Sequence, residues 1–170
     1  MVVSIDGPAM RHLVLLLVLA GALSACGGGG AKASAACRAE VREAFDPSSL
    51  QHVLPGGREP QYLTNPPTSG PHVHGPKLSG VRSDVLDKPT QVGALEDGSV
   101  LVQYRDLDAA AIASLASVAG DQVVVAPNPD LPDKVVLTAW VFKRTCSSVD
   151  TAAIGEFVTA HRGKGPGIDG

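Results

Sequence analysis

The alternation of hydrophobic and polar positions is regular only in the second half of the chain. Residues 99–104 and 122–126 are rich in β-branched side chains and predict strands, and residues 134–143, apolar on both faces, predict a central strand. Helices are predicted over residues 109–119 and 151–162, because each stretch follows an aspartate that suits a cap and carries its apolar side chains on one face. The element order of this half is therefore β-α-β-β-α.

The preceding part of the chain has a weaker pattern. Residues 37–45 predict a short helix that Asp46-Pro47 stops, and residues 51–54 predict a brief strand. Residues 54–89 are rich in proline and glycine and predict a long irregular segment. The predicted fold class is α+β, with a small mixed β-sheet of about four to five strands, two to three packed helices and this Pro/Gly-rich loop across one side.

The amino-terminal residues carry targeting features. Met10 is a better start for an export signal than Met1, because Arg11 follows it and residues 13–22 are apolar but too few to span a bilayer permanently. Residues 23–26 read Leu-Ser-Ala-Cys and are similar to the lipobox of bacterial lipoproteins. A plain secretory signal with an incidental cysteine is the alternative.

The lipobox resemblance implies a processed and lipidated protein. Residues 1–25 are then a signal peptide, and Cys26 carries acyl chains of the palmitate type that hold the protein at the extracytoplasmic side of the cell membrane. The Gly-rich residues 26–36 predict a tether, residues 37–166 a single globular domain, and residues 167–170 a frayed tail.

The cysteines and the charge agree with an exported protein that does not bind nucleic acid. Cys37 and Cys146 are an even pair once Cys26 is lipidated, so we expect a disulfide between them. A redox-active or metal-binding pair is the alternative, although the chain has no C-x-x-C motif. The net charge is −3 and the basic residues are scattered, which argues against a polyanionic partner.

The candidate chemistry lies in residues 62–75. His72 and His74 are separated by one residue, and in extended backbone such side chains point to the same side. The residues before them contain too much proline for a helix or a central strand. The residues that define this loop are Tyr62, Asn65, Pro66, Pro67, Thr68, Ser69, Gly70 and Pro71.

Several motifs between residues 37 and 166 resemble the domain-of-unknown-function 3105 family. They are Asn65-Pro-Pro-Thr-Ser-Gly-Pro-His72, Leu95-Glu96-x-Gly98, Thr138-Ala-Trp140, Cys146 and Arg162-Gly-Lys-Gly-Pro166. The resemblance implies an exported or membrane-attached bacterial protein and no particular reaction. Family members usually have Val-His-x-Leu-Glu-His-Gly where this chain has residues 92–98, so Gly93 and Asp97 replace two histidines.

The family pattern of histidines from separate segments is similar to a metal or catalytic cluster. Imidazoles brought together in this way commonly bind Zn(II) or Cu(II). In this chain the corresponding set is His72, His74, Glu96 and Asp97, with carboxylates in place of the missing imidazoles. Alternatively, both histidines only hydrogen-bond the loop backbone, and Glu96 and Asp97 form a turn before the next strand.

Three functions are compatible with this sequence. The one we expect is a non-catalytic binding domain whose loop contacts a small molecule or a protein. The second is a metal-handling lipoprotein that uses His72 and His74 to hold copper or zinc. The third is a hydrolase-like enzyme, which needs a nucleophile beside His72; Thr68 and Ser69 are near in sequence, but no Gly-x-Ser-x-Gly motif is present and no catalytic residue is assigned.

Overall fold

A six-stranded mixed sheet forms the centre of the domain. The computed structural model describes residues 33–75 and 77–169. The strands are β1 (Val41–Arg42), β2 (Gly80–Val81), β3 (Val100–Tyr104), β4 (Val123–Pro127), β5 (Val135–Ala139) and β6 (Phe142–Cys146). Their order is β1-β6-β5-β3-β4-β2, with β3, β4 and β2 parallel and the other pairs antiparallel. The predicted α+β class is confirmed, with slightly more strands than expected.

Three α-helices complete the fold, namely α1 (Lys88–Glu96), α2 (Ala109–Ala116) and α3 (Thr151–His161). Each begins after an aspartate whose carboxylate accepts a hydrogen bond from a backbone N–H of the first turn: Asp87 from Thr90, Asp108 from Ala111 and Asp150 from Ala153. Helices α2 and α3 were predicted, although α2 ends three residues earlier than expected. Helix α1 was not predicted, because its residues were assigned in part to the irregular segment.

The sheet is covered on both faces. One face packs against α2 and α3 through side chains such as Leu115, Ile154 and Phe157. The other packs against α1 through Leu95, which lies in one cluster with Leu101 of β3. Within the described part of the chain, none of the helices has the length and apolar character needed to cross a membrane.

Two predicted elements are wrong, and the strand predicted at residues 51–54 is only an isolated bridge between His52 and His72. Residues 37–45 form no helix; β1 pairs with β6 instead, because edge pairing and a covalent bond at Cys37 outweigh the helix propensity of Arg, Glu and Ala. Residues 134–143 are not one strand but the hairpin of β5 and β6, which turns at Trp140 and Val141. Val141 has φ 57°. A β-branched residue rarely adopts this conformation, so the sequence does not indicate a turn at this position.

The predicted disulfide between Cys37 and Cys146 is confirmed. Contacts of the domain begin earlier than residue 37, since the Ser34 hydroxyl donates to the Asp150 carboxylate. Pro166–Asp169 forms a short 3-10 helix where a frayed tail was predicted from residue 167. The predicted signal peptide, Cys26 and most of the tether lie outside the described residues.

Candidate functional site

The Pro-rich loop is held to the domain by hydrogen bonds within its Ser-Gly-Pro-His sequence. The Asp46 N–H donates to the Ser69 hydroxyl, and the Gly70 N–H donates to the Ser49 hydroxyl. The Tyr62 hydroxyl donates to the Pro71 carbonyl at 2.7 Å. These contacts fix the backbone that presents the next residue, His72.

Tyr62 is a half-buried residue that supports this loop. Burial raises the pKa of its hydroxyl above the ordinary value of 10.0, and the nearby carboxylates of Glu59, Asp87 and Asp46 raise it further. The hydroxyl therefore stays protonated at neutral pH and remains a hydrogen-bond donor to Pro71.

Backbone pairing brings two histidines from distant positions together. The His72 N–H donates to the Gln51 carbonyl, and the Val53 N–H donates to the His72 carbonyl, so residues 51–53 run parallel to the loop at this point. The rings of His52 and His72 meet edge to face with centroids 4.8 Å apart. His72 is fully buried and His52 is exposed.

Helix α1 supplies a carboxylate to the same place. Glu96 is the last residue of α1, and Asp97 is its C-cap. One ligand atom from each of His52, His72 and Glu96 lies within 4.8 Å of the other two. We call these three residues the triad. Two carboxylates at the negative end of a helix, with no basic residue in its last turn, create an electrostatic preference for a cation.

The hydrogen bonds of His72 determine which of its nitrogens faces the carboxylate. Nδ1 lies 3.1 Å from the Gly70 carbonyl, which can only accept, so Nδ1 carries the proton in the neutral ring. Nε2 then presents a lone pair 2.6 Å from Glu96 Oε2. Although this distance is short, the pair does not have hydrogen-bond geometry, and Nε2 is a buried nitrogen without a hydrogen-bond partner.

Two lone-pair-bearing atoms at this distance require a positive charge. Either a proton or a metal cation lies between the two atoms. The poor alignment for a hydrogen bond favours the metal. A tetrahedral zinc ion would separate the two ligand atoms by about 3.3 Å. That separation needs an outward shift of Glu96, whose side chain is 24% exposed and therefore has room to move.

His74 and Asp97, the other two predicted ligands, lie beside the triad. Both line a cavity between α1 and the segment that follows His72. The ring of His74 is 6.0 Å from that of His52, which therefore lies close to both histidines of the loop. The structure thus brings His72 and Glu96 of the predicted set together, and adds His52, which the predicted set did not include.

A second histidine, His161 at the end of α3, is also buried. Its Nε2 lies 2.9 Å from Glu40 Oε2, and its ring packs between Phe142 and Phe157 at the end of α3. Among the described residues, no third ligand atom accompanies this pair, because the triad is the one group of three potential ligands found there. His161 and Glu40 therefore form a buried histidine–carboxylate pair, as His72 and Glu96 do, but without a third ligand residue.

The hydroxyls of Thr68 and Ser69 are engaged in holding the loop. Ser69 accepts the hydrogen bond from Asp46, and Thr68 contacts the Glu43 carboxylate. Glu43 also pairs with Lys143, whose pKa is lowered by burial and partly restored by that carboxylate. Neither hydroxyl is hydrogen-bonded to His72, so neither forms a nucleophile–histidine pair with it.

The Gly-Lys-Gly segment at residues 163–165 packs against the acidic end of α1. The Gly163 N–H donates to the Gly98 carbonyl, and a Cβ at Gly165 would collide with the Glu96 carbonyl. Glycine at 165 is therefore needed for the close approach of the tail to the helix end. This contact holds the backbone of Glu96 and Asp97 in place.

Comparisons with known proteins place this chain in one family. A search of curated proteins and a search of solved structures each found no match. A family model described as "Protein of unknown function (DUF3105)" matches residues 55–169, which include His72, the acidic end of α1 and the closing glycines. The chain therefore belongs to the DUF3105 family.

Proposed function

We propose that this protein binds a divalent transition-metal ion, Zn(II) or Cu(II), through His52, His72 and Glu96. The observation that carries the proposal is the buried Nε2 of His72, which lacks a hydrogen-bond partner and lies 2.6 Å from a carboxylate oxygen. A metal ion satisfies both atoms at once. The bond from Nδ1 to the Gly70 carbonyl is the kind of outer contact that orients metal-binding histidines.

The donor set indicates which ions fit. Two imidazole nitrogens and one carboxylate oxygen suit Zn(II) and Cu(II), whereas Cu(I) prefers thiolate or thioether ligands. Cys37 and Cys146 are joined in a disulfide and supply no thiolate. A fourth position would be filled by water or by His74, whose ring lies close to that of His52.

The proposal includes a place for the protein in the cell. We infer that it is a membrane-anchored lipoprotein whose domain binds the ion on the extracytoplasmic side without catalysing a reaction. The lipobox-like residues 23–26 and the disulfide, a bond typical of oxidising compartments, support this view. The exposure of His52 suits an ion that is taken up from solution.

Calorimetric titration of the purified protein with ZnCl₂ and CuCl₂ tests the metal site. We expect one ion per chain, and a loss of about tenfold or more in affinity for Glu96→Gln and for His52→Ala. The matched control is Glu40→Gln, which alters the other carboxylate that contacts a buried histidine. Absence of binding by the unmodified protein, or an equal loss in the control, would remove the proposal.

A further inference from the structure

A cavity of about 250 Å³ runs along one side of α1. Its polar lining consists of His74, Asp87, Thr90 and Asp97, and apolar side chains such as Val73 and Leu78 line the rest. None of the three triad residues lines it. The cavity is thus a second candidate binding site, next to the metal site and, apart from His74, formed by different residues.

The two carboxylates lie at opposite ends of this cavity. Asp87 is the N-cap of α1 and Asp97 is its C-cap, so ten residues separate them. At the rise of an α-helix this corresponds to about 15 Å along the axis. Between them, the same side of the helix presents Gly93 and Ala94, which are small and apolar. The lining is therefore acidic at both ends and apolar in the middle.

Neither carboxylate is neutralised by a basic side chain. The lining contains no lysine or arginine, and the ion pairs of the described residues include neither Asp87 nor Asp97. Lys88, the basic residue next to Asp87, pairs with Glu59 at 2.8 Å. A ligand with a positive charge at each end would complement this distribution.

We propose that the cavity binds a linear aliphatic diamine or polyamine. One ammonium group contacts Asp97, another contacts Asp87, and the methylene chain covers Val73, Leu78 and Ala94. Burial of the methylene groups adds a hydrophobic contribution to binding, which a small inorganic cation cannot gain. The site needs no metal ion, so the inference stands apart from the function proposed above.

The two ends contribute unequally. Asp97 lies at the negative end of α1, where the helix dipole also attracts a cation. Asp87 lies at the positive end, and one of its oxygens already accepts a hydrogen bond from the Thr90 N–H. Neutralising Asp97 should therefore weaken amine binding more than neutralising Asp87.

Calorimetry with spermidine, on full-length protein freed of metal with a chelator that is then removed, tests this inference. We expect saturable one-to-one binding that is about tenfold weaker for Asp97→Asn and weakened by a smaller factor for Asp87→Asn. Asparagine caps a helix as well as aspartate, so Asp87→Asn should keep α1 intact. Pentylamine, which has one ammonium group, should bind at least about tenfold more weakly than cadaverine, which has two.

The control for general attraction between opposite charges is Asp121→Asn, which removes an exposed carboxylate outside the cavity. It should leave spermidine binding unchanged. Absence of saturable binding would overturn the inference, and so would an equal loss in Asp97→Asn and Asp121→Asn. Zinc titration of the same preparation separates this result from the metal site, because binding at the triad does not depend on Asp87.

Discussion

Gly93 determines how closely the histidine loop approaches α1. A Cβ at this position would collide with the Val73 carbonyl oxygen, one residue after His72. The resemblance described above implies a histidine at this position in the family, whereas in this chain the loop backbone occupies the space that a side chain would take. The close contact leaves no room for a side chain at Gly93, and His52 provides an imidazole from another segment.

Gly93→Ala should destabilise the protein by about 1–3 kcal/mol, because the Val73 carbonyl has to move away from the added methyl group. The matched control is Gly155→Ala in α3, where an added Cβ meets no atom within 4 Å. There alanine should stabilise by about 0.5–1 kcal/mol through its higher helix propensity. Urea denaturation of both variants provides the comparison, and a neutral Gly93→Ala would contradict the close approach.

Tyr62 should make stability depend on pH in the alkaline range. Its folded pKa is raised above the ordinary 10.0, so above that pH the unfolded chain loses this proton while the folded protein keeps it. The unfolded state then binds fewer protons, and the free energy of unfolding falls as the pH rises.

Tyr62→Phe should lower stability by about 1 kcal/mol at neutral pH, because the Pro71 carbonyl loses its donor. It should also remove this part of the alkaline decline. Denaturation of both proteins from about pH 8 to about pH 11 should therefore show their stabilities converging. A difference that stays constant over this range would contradict a raised pKa.

At the scale of elements, the helices were predictable where their caps and apolar positions coincide, as in α2 and α3. Helix α1 was not, because Pro89 and Gly93 within Lys88–Glu96 resemble the irregular segment before it. The consequence for the site is direct. Glu96 and Asp97 were expected in a turn, whereas they end a helix whose dipole adds to their negative charge.

This charge arrangement should cost stability in the absence of a cation. Asp97→Asn is expected to raise the free energy of unfolding by about 0.3–1 kcal/mol in metal-free protein, because it removes a negative charge from the C-terminal end of α1. At Asp108, the N-cap of α2, the same substitution should be neutral or slightly destabilising. A lower stability for Asp97→Asn, measured by urea denaturation, would contradict this account of the helix end.

At the scale of the whole molecule, the sequence was sufficient for the fold class and the disulfide, since both follow from pattern and cysteine count. The site was only partly predictable. His72 and Glu96 were chosen from motifs, but His52 is twenty residues from His72, and its place depends on the pairing of residues 51–53 with the loop. Nothing in the local sequence of His52 signals that long-range contact.

The disulfide should stabilise the whole domain without affecting the metal site. It joins residues 109 positions apart and lies in the core cluster on the face that carries α2 and α3. The double variant Cys37→Ala/Cys146→Ala should lose about 4–5 kcal/mol in the chain-entropy model. Where the variant is still folded, zinc affinity should equal that of the unmodified protein, and a large drop would show that the site depends on this bond.

The most direct test of the central claim is a crystal structure of the zinc-loaded protein with anomalous data collected at the zinc edge. We predict one strong peak about 2.0–2.2 Å from His72 Nε2, a Glu96 oxygen and a nitrogen of His52. The Nδ1 contact of His72 with the Gly70 carbonyl should be retained. Absence of a peak there, with His72 and Glu96 still in direct contact, would contradict the proposed metal site.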